Sequence, residues 1–147
     1  MRDISPFAGK AVLVTGAGAG IGYALCQAFA HAGATVALND IDPTLCRTAA
    51  QQINDALGDE RVYPFACDVA DVEAVHIMCQ RFVDTAGRLD IAIANAGITD
   101  YGEFLTATPE AFDRLTSVNL RGSFFTAQTA ARIMIDAHIP GRIILMS

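Results

Sequence analysis

Basic residues are scarce in this chain of 147 residues. Ten Lys and Arg stand against sixteen Asp and Glu, which gives a formal net charge of −6. A protein that binds nucleic acid without sequence preference needs a basic face to contact the phosphate backbone. The composition therefore argues against nucleic acid as a partner.

Long uninterrupted apolar segments are also missing. The longest stretch without Asp, Glu, Lys or Arg runs from Ala11 to Asn39, and glycines and polar residues interrupt it. A membrane-spanning helix needs about 20 mostly apolar residues, and the apolar run at 11–14 is shorter than the roughly 7–15 residues of a signal-peptide core. The sequence predicts a soluble cytoplasmic protein that does not bind membranes.

The four cysteines form no Cys-x-x-Cys pair. No histidine is placed to complete a zinc site with Cys26, Cys46, Cys67 or Cys79, so no metal site is predicted. A buried free cysteine behaves as a small hydrophobe. We therefore expect all four in the core of a protein from a reducing compartment.

Apolar residues, by contrast, make up 52% of the composition. A chain with this much apolar surface is expected to form a packed core. Its length is that of one ordinary domain of roughly 100–200 residues. We expect a single domain over residues 1–147.

Short β-branched runs alternate with longer alanine-rich stretches of helical spacing. The predicted strands are 11–15, 35–38, 61–65, 89–93 and 142–146, and the predicted helices are 21–32, 43–57, 71–86 and about 109–136. The strands are apolar at nearly every position, which is typical of strands covered on both faces. Right-handed crossovers then give an α/β fold with a doubly wound, parallel, five-stranded sheet. Asp71 and Thr108 are placed to cap their helices, and Gly87 to end one.

The first predicted strand runs directly into a glycine-rich turn, Thr15–Gly22, and then into a helix. Such a turn directs unpaired amide N–H groups and the positive end of the helix dipole at one point, where a pyrophosphate can bind. Gly16 allows the tight turn, Gly20 lets phosphates approach the main chain, and Gly22 lets the helix pack against the strand. A flexible turn without a ligand is the alternative interpretation.

An acidic residue, Asp40, ends the second predicted strand. A carboxylate there can accept hydrogen bonds from the ribose hydroxyls of an adenosine, and it repels a phosphate on the 2′ oxygen. Neither Ala19 nor Ile41 supplies a cation to offset that repulsion. NAD is therefore favoured over NADP. The alternative is a solvated loop acid beside Asp42, which caps the next helix.

Four segments together resemble the short-chain dehydrogenase/reductase family. They are Thr15–Gly22, Asp68-Val69, Asn95–Gly97 and Asn119, and they occur in the family's order and spacing over essentially the whole chain. One departure is Ala94, where the family usually has a further Asn. The resemblance implies a Rossmann-type fold that binds a nicotinamide dinucleotide.

The resemblance also implies roles for individual residues. Asp68 would bind the adenine amino group, Val69 would contact the ring through its backbone, and Asn95–Gly97 would line the cofactor's path across the central strand. Asn119 would act in catalysis by supporting a water in the proton relay. The alternatives are a cap or turn role for Asp68, a plain turn at Asn95–Gly97 and a structural amide at Asn119. The residues expected to contact the dinucleotide are Gly16, Ala19, Gly20, Ile21, Gly22, Asp40, Ile41, Asp68, Val69, Asn95, Ala96 and Gly97.

The family's catalytic set is missing from these 147 residues. Members use a tyrosine with a lysine four residues later, together with a serine, because a phenol of pKa near 10 must be brought toward neutrality. The only lysine here is Lys10, and no tyrosine has a lysine four positions on. Matched to the family, the catalytic serine falls one position beyond Ser147; the alternative is that Ser147 itself is that serine, by a register shift of one residue.

We therefore expect the cofactor-binding N-terminal portion of an NAD-dependent short-chain oxidoreductase, inactive alone. The intact enzyme would transfer hydride between nicotinamide and a small alcohol or carbonyl substrate. A non-catalytic NAD-sensing module is the alternative, and a methyltransferase is a distant third. Phe112, Phe124 and Phe125 suit the core or a subunit interface, with contacts to a substrate as the alternative. By resemblance the long helix packs against a partner, so a homo-oligomer is expected at full length.

Overall fold

A computed structural model describes residues 5–99 and 102–147. Within these residues the chain forms five strands, β1 (Ala11–Val14), β2 (Thr35–Asp40), β3 (Val62–Ala66), β4 (Ile91–Ala94) and β5 (Arg142–Leu145). They make one parallel sheet in the order β3-β2-β1-β4-β5. The chain moves outward in one direction from β1 to β3 and in the other from β4 to β5. In such a sheet a crevice opens at the carboxyl ends of β1 and β4, where the strand order reverses.

The central strand β1 is apolar and buried along its whole length. Successive side chains of a strand point to opposite faces. Val12 and Val14 accordingly pack in one core cluster, with Cys26 and Ile53, while Leu13 packs in the other. The sheet is covered on both faces, so the predicted doubly wound architecture is confirmed.

Helices connect the strands. They are α1 (Gly20–His31), α2 (Pro43–Leu57), α3 (Val72–Ala86), α4 (Pro109–Thr116) and α5 (Ser123–Asp136). A π-helical turn, Ser117–Gly122, joins α4 to α5 without a break, and a short 3₁₀ turn at Phe104–Thr106 precedes α4. The long helix predicted over about 109–136 therefore contains a wider turn in its middle. In the described part of the chain, no helix combines the length and the apolar character needed to cross a membrane.

Local signals set the ends of these helices. Asp42, Asp71 and Thr108 each accept a hydrogen bond from a main-chain N–H in the first turn of α2, α3 and α4. Gly58 and Gly87 end α2 and α3 in the left-handed conformation. The predicted caps at Asp71 and Thr108 and the predicted end at Gly87 are confirmed.

The long helical segment exposes part of its apolar surface. Phe112 and Phe124 are 64% and 56% exposed, so neither belongs to the core of the described chain. Phe125 is half-buried and lies edge-on to Phe124, with ring centroids 5.1 Å apart. Of the interpretations given to these phenylalanines, a place in the core does not hold for Phe112 and Phe124, and a subunit interface stays a prediction.

A buried carboxylate joins the amino ends of the central strands. Asp90, just before β4, is buried and accepts hydrogen bonds from Arg88 at 2.6 and 2.7 Å, from Lys10 Nζ at 3.1 Å and from Ala11 N–H at 3.0 Å. Burial raises the pKa of this carboxyl, but the hydrogen bonds from Arg88, Ala11 and Lys10 outweigh it and hold the pKa below its ordinary value. The ionised form is therefore the one that stabilises the fold.

Asp90→Asn is expected to lower the free energy of unfolding by about 2–3 kcal/mol at pH 7, because the hydrogen bonds that the buried carboxylate accepts from charged groups are weakened or lost. A lowered pKa in the folded state contributes stability that is present above the unfolded value of about 3.9 and is lost as the pH falls through the folded pKa. Urea unfolding at pH 7, 5 and 3 should therefore show the variant and the wild type converging below about pH 4.

Asp59→Asn is the matched control. Asp59 pairs with Arg61 at 2.7 Å, but both side chains are well exposed, and exposed pairs contribute about 0–1 kcal/mol. A destabilisation by Asp90→Asn that is as large at pH 3 as at pH 7 would contradict the conclusion that the ionised Asp90 carboxylate stabilises the fold.

Candidate functional site

A cleft of about 380 Å³ lies at the carboxyl ends of β1, β2, β3 and β4. Ten of the residues predicted to contact a dinucleotide line it. They are Gly16, Ala19, Ile21, Asp40, Ile41, Asp68, Val69, Asn95, Ala96 and Gly97. Four different segments of the chain supply these residues, so the fold brings the ten together at one place. Gly20, Gly22 and Asn119 are not part of the lining.

The glycine-rich turn after β1 packs tightly against the residues that follow β4. Gly16 has a φ of +60°, and a Cβ on it would lie 2.6 Å from the Cα of Ala96. Only glycine meets both conditions, because side chains rarely adopt this φ and the neighbouring backbone leaves no space. Gly22 is buried behind the turn, where a Cβ would lie 2.6 Å from the carbonyl oxygen of Gly16. The amino end of α1 is thereby held close to β1.

The amino end of α1 opens onto the cleft. Ala19 occupies the N-cap position and has no side chain that can accept a hydrogen bond from the first turn. Ala19 and Ile21 both line the cleft, on either side of the exposed Gly20. The first N–H groups of a helix lack partners within it and carry its positive partial charge. This corner of the cleft is suited to an anion such as a diphosphate.

Asp40 lies beside that corner and is tied to the glycine turn. Its Oδ2 accepts a hydrogen bond from the N–H of Gly18 at 2.9 Å, and its Oδ1 accepts one from Asp42 at 3.1 Å. Asp42 instead directs its carboxylate at the first turn of α2, where the N–H groups of Leu45 and Thr44 lower its pKa. The two neighbouring acids therefore have different surroundings, and only Asp40 lines the cleft.

The cleft carries negative charge on its side chains. Asp40 and Asp68 are the acidic residues of its described lining, and neither Lys nor Arg is among those residues. A second anionic group near Asp40 would therefore meet repulsion without a compensating cation.

Asp68 and Val69 form the wall that follows β3. Asp68 is exposed, and its Oδ1 accepts a hydrogen bond from the N–H of Ala70 at 2.9 Å. This is the turn role named above as the alternative, and it engages one of the two carboxylate oxygens. Val69 is buried against Gly122, where an added Cβ would lie 2.8 Å from a Val69 methyl group. The π-helical turn therefore supports this wall from behind.

Asn95 connects the ends of the two central strands. Its Nδ2 donates to the carbonyl oxygens of Thr15 and Gly16, each at 3.0 Å. In the other direction, the buried hydroxyl oxygen of Thr15 accepts hydrogen bonds from the N–H groups of Asn95 and Ala96, at 3.0 and 3.1 Å. These bonds fix the glycine turn relative to the opposite wall of the cleft. Thr15 had no role assigned from the sequence beyond its place in the motif.

Asn119 lies in the π-helical turn and is exposed. Its Oδ1 accepts from the N–H of Ile98 at 2.8 Å, and its Nδ2 donates to the Ile98 carbonyl at 2.9 Å. Both ends of the amide thus bind one main-chain residue, and Ile98 lines the cleft. The geometry corresponds to the structural alternative for Asn119, whereas its role in catalysis stays a prediction.

Four lining residues were not predicted. They are Asn39, Cys67, Ile98 and Val118. Asn39 had a signal, because an amide in an otherwise apolar strand directly precedes Asp40. Cys67 was expected in the core, as were the other three cysteines, which are buried. It is instead half-buried on the cleft wall; burial and the neighbouring charge of Asp68 raise the pKa of its thiol to about 11. Cys67 is therefore a neutral thiol at pH 7.

Comparisons with known proteins agree with this geometry. A family model described as short chain dehydrogenase matches residues 10–147. Versicolorin reductase 1 of Aspergillus parasiticus is 40% identical over 149 residues, covering 100% of this chain and 55% of that protein. A short-chain dehydrogenase/reductase of Armillaria gallica is also 40% identical, over 98% of this chain and 55% of its own length. The chain spans about half the length of these relatives.

A solved structure gives the same result in three dimensions. The crystal structure of a short-chain type dehydrogenase/reductase from Mycobacterium marinum superposes with a TM-score of 0.90 at 36% identity, covering 96% of this chain and 56% of that one. Sequence, fold and cleft therefore agree, and the chain belongs to the short-chain dehydrogenase/reductase family of oxidoreductases.

Proposed function

We propose that this chain binds NAD in the cleft described above and forms the cofactor-binding part of an oxidoreductase. The family binds nicotinamide dinucleotides, either NAD or NADP. One observation carries the proposal. The uncapped amino end of α1, the glycine turn and the Asp40 carboxylate open onto the same cleft. Together these groups suit a diphosphate with an adjacent ribose.

The surroundings of Asp40 favour NAD over NADP. A ribose hydroxyl can donate to the carboxylate, whereas a 2′-phosphate would place a second negative group beside it. At a separation of about 4 Å and a surface-like dielectric, that repulsion is worth a few kcal/mol. No cation among the described lining residues reduces it.

Asp40→Ala is expected to reduce the preference for NADH over NADPH by at least about tenfold, equivalent to about 1.4 kcal/mol. Titration of the nicotinamide fluorescence with each dinucleotide measures the two dissociation constants. Their ratio cancels any effect on stability that both ligands share.

Asp42→Ala provides the control from the same loop. Asp42 caps α2 and is not part of the cleft lining, so its loss should cost about 1 kcal/mol of stability and leave the preference unchanged. A wild-type chain that binds neither dinucleotide would overturn the proposed function. If the ratio of the NADH and NADPH dissociation constants is unchanged in Asp40→Ala, Asp40 does not contact the ribose in the proposed site.

The chemistry of the intact enzyme follows from the same proposal. Hydride passes between the nicotinamide and a small alcohol or carbonyl substrate, with Asn119 contributing to the proton relay. The tyrosine and lysine that the family uses are missing from these 147 residues, so we expect this chain alone to bind the cofactor without turnover. The exposed phenylalanines of α4 and α5 support a homo-oligomer, and the four free thiols support a reducing compartment such as the cytoplasm.

A further inference from the structure

Asn39 is a buried amide at the edge of the cleft that the cofactor-binding groups described above do not include. It is 1% exposed and lies at the penultimate position of β2, opposite Phe65 on β3. Its Nδ2 donates to the carbonyl oxygens of Phe65 at 2.9 Å and of Cys67 at 3.1 Å. The same Nδ2 also lies 3.4 Å from Cys67 Sγ. The two carbonyl oxygens are the stronger acceptors, and they fix which way the amide is turned.

The other end of this amide has no partner. Asn39 Oδ1 is buried, and no donor among the described residues lies within hydrogen-bond distance of it. A buried acceptor without a donor is unfavourable, so an apolar side chain would suit the packing of β2 better. What distinguishes Asn39 from an apolar residue is the pair of bonds that it donates to the segment leaving β3.

We propose that Asn39 is a positioning residue for the adenosine half of the cleft. It would hold Asp68 in the orientation that receives the adenine amino group. This inference rests on the proposed function and extends it to a residue that acts through Asp68.

The geometry of the segment after β3 explains how Asn39 can act through Asp68. The last main-chain hydrogen bond between the β2 and β3 segments runs from the N–H of Cys67 to the carbonyl of Asp40, at 3.2 Å. The next carbonyl, that of Cys67, belongs to the peptide group that carries the N–H of Asp68. Asn39 binds this carbonyl, so it fixes the peptide plane from which Asp68 departs.

A second asparagine at the other end of β3 offers a matched comparison. Asn54 of α2 donates to the carbonyl of Val62 and accepts from the N–H groups of Val62 and Arg61, at 2.9 to 3.1 Å. Asn54 thus forms hydrogen bonds to the start of β3, as Asn39 does to its end, but Asn54 is not part of the cleft lining. Replacing Asn54 therefore shows how much stability is lost when an amide that binds β3 is removed. Asp68 should be unaffected by that change.

The experiment compares NADH with reduced nicotinamide hypoxanthine dinucleotide, which lacks the adenine amino group but keeps the fluorescent nicotinamide. We expect the wild-type chain to prefer NADH by about tenfold, as for one hydrogen bond to a charged acceptor. Asn39→Ala should reduce this preference to less than about twofold, and Asn39→Ser, which keeps one donor, should be intermediate. Asn54→Ala should keep the full preference even though it lowers the unfolding midpoint.

A double variant shows whether Asn39 acts by orienting Asp68 or only by a general effect on folding and binding. Asp68→Ala should abolish the preference, and adding Asn39→Ala to it should change the ratio no further, because the two residues act in series. The inference is overturned if Asn39→Ala retains the wild-type ratio, if Asn54→Ala loses it, or if the wild type binds both dinucleotides equally. Failure of both Asn39 variants to fold would assign the residue to the fold alone and would also overturn it. A wild type that binds neither dinucleotide indicates instead that the proposed function itself is wrong.

Discussion

Gly20→Val is expected to weaken NADH binding by at least about 100-fold while the chain keeps its fold. Gly20 lies between Ala19 and Ile21, which both line the cleft, and an added Cβ would meet no protein atom within 4 Å. A valine side chain would therefore project over the first amide groups of α1 without disturbing the core. There it would occupy the space that a diphosphate needs to reach those amides.

Gly20→Val is also expected to lower the stability of the fold, and this effect must be separated from the effect on NADH affinity. Gly20 has a φ of +60°, and a residue with a side chain in the left-handed region costs about 1–2 kcal/mol. Gly58 has a φ of +69° and equally open surroundings, but it lies at the end of α2, away from the cleft. Gly58→Val should thus lower the unfolding midpoint to a similar extent and leave NADH affinity unchanged. Retained affinity in Gly20→Val would count against diphosphate binding at this corner.

Gly22→Ala is expected to have the largest effect on stability, about 3 kcal/mol or more. A Cβ at this position would lie 2.6 Å from the carbonyl oxygen of Gly16, 2.7 Å from the Cα of Ala17 and 2.7 Å from Nδ2 of Asn95. Two of these atoms belong to the backbone, so no side-chain rotation relieves the overlap. α1 must then move away from β1, and the bonds of Asn95 to the glycine turn are lost with it.

Gly97→Ala tests whether any added methyl group at the cleft has this effect. The nearest atom to a Cβ there is Oδ1 of Asn119 at 3.5 Å, an ordinary contact distance. Urea unfolding should place Gly97→Ala within about 1 kcal/mol of the wild type. Equal stability of Gly22→Ala and Gly97→Ala would contradict the close packing of α1 on β1.

The architecture was predictable because its signals are local. The apolar run of β1, the glycine turn and the cap at Asp71 each lie within a few consecutive residues, and each is set by backbone sterics or by periodicity. The right-handed crossover rule, which does not depend on details of the side chains, leads from alternating strands and helices to a doubly wound parallel sheet. The residues that line the cleft follow in turn, since they stand at the carboxyl ends of predicted strands.

The connections within the site could not be predicted in the same way. Asn95 binds the carbonyl oxygens of Thr15 and Gly16, about 80 positions away along the chain, and no local pattern encodes such a contact. Helical spacing could not say which apolar residues of the long helix face the sheet, and Phe112 and Phe124 proved to be exposed. Nor did any propensity indicate the π-helical turn, because its wider hydrogen bonding is seldom favoured by sequence alone.

That turn has a geometric consequence for the edge of the sheet. A π-helical turn accommodates an additional residue compared with an α-helical one, and each residue of an α-helix rotates the following side chains by about 100°. Ala130 and Met134 of α5, which pack in the core cluster with Leu89 and Ala92, lie beyond this turn. The angular phase at which α5 meets β4 and β5 is therefore determined by the width of the segment that also holds Ile98 and Val69 in place.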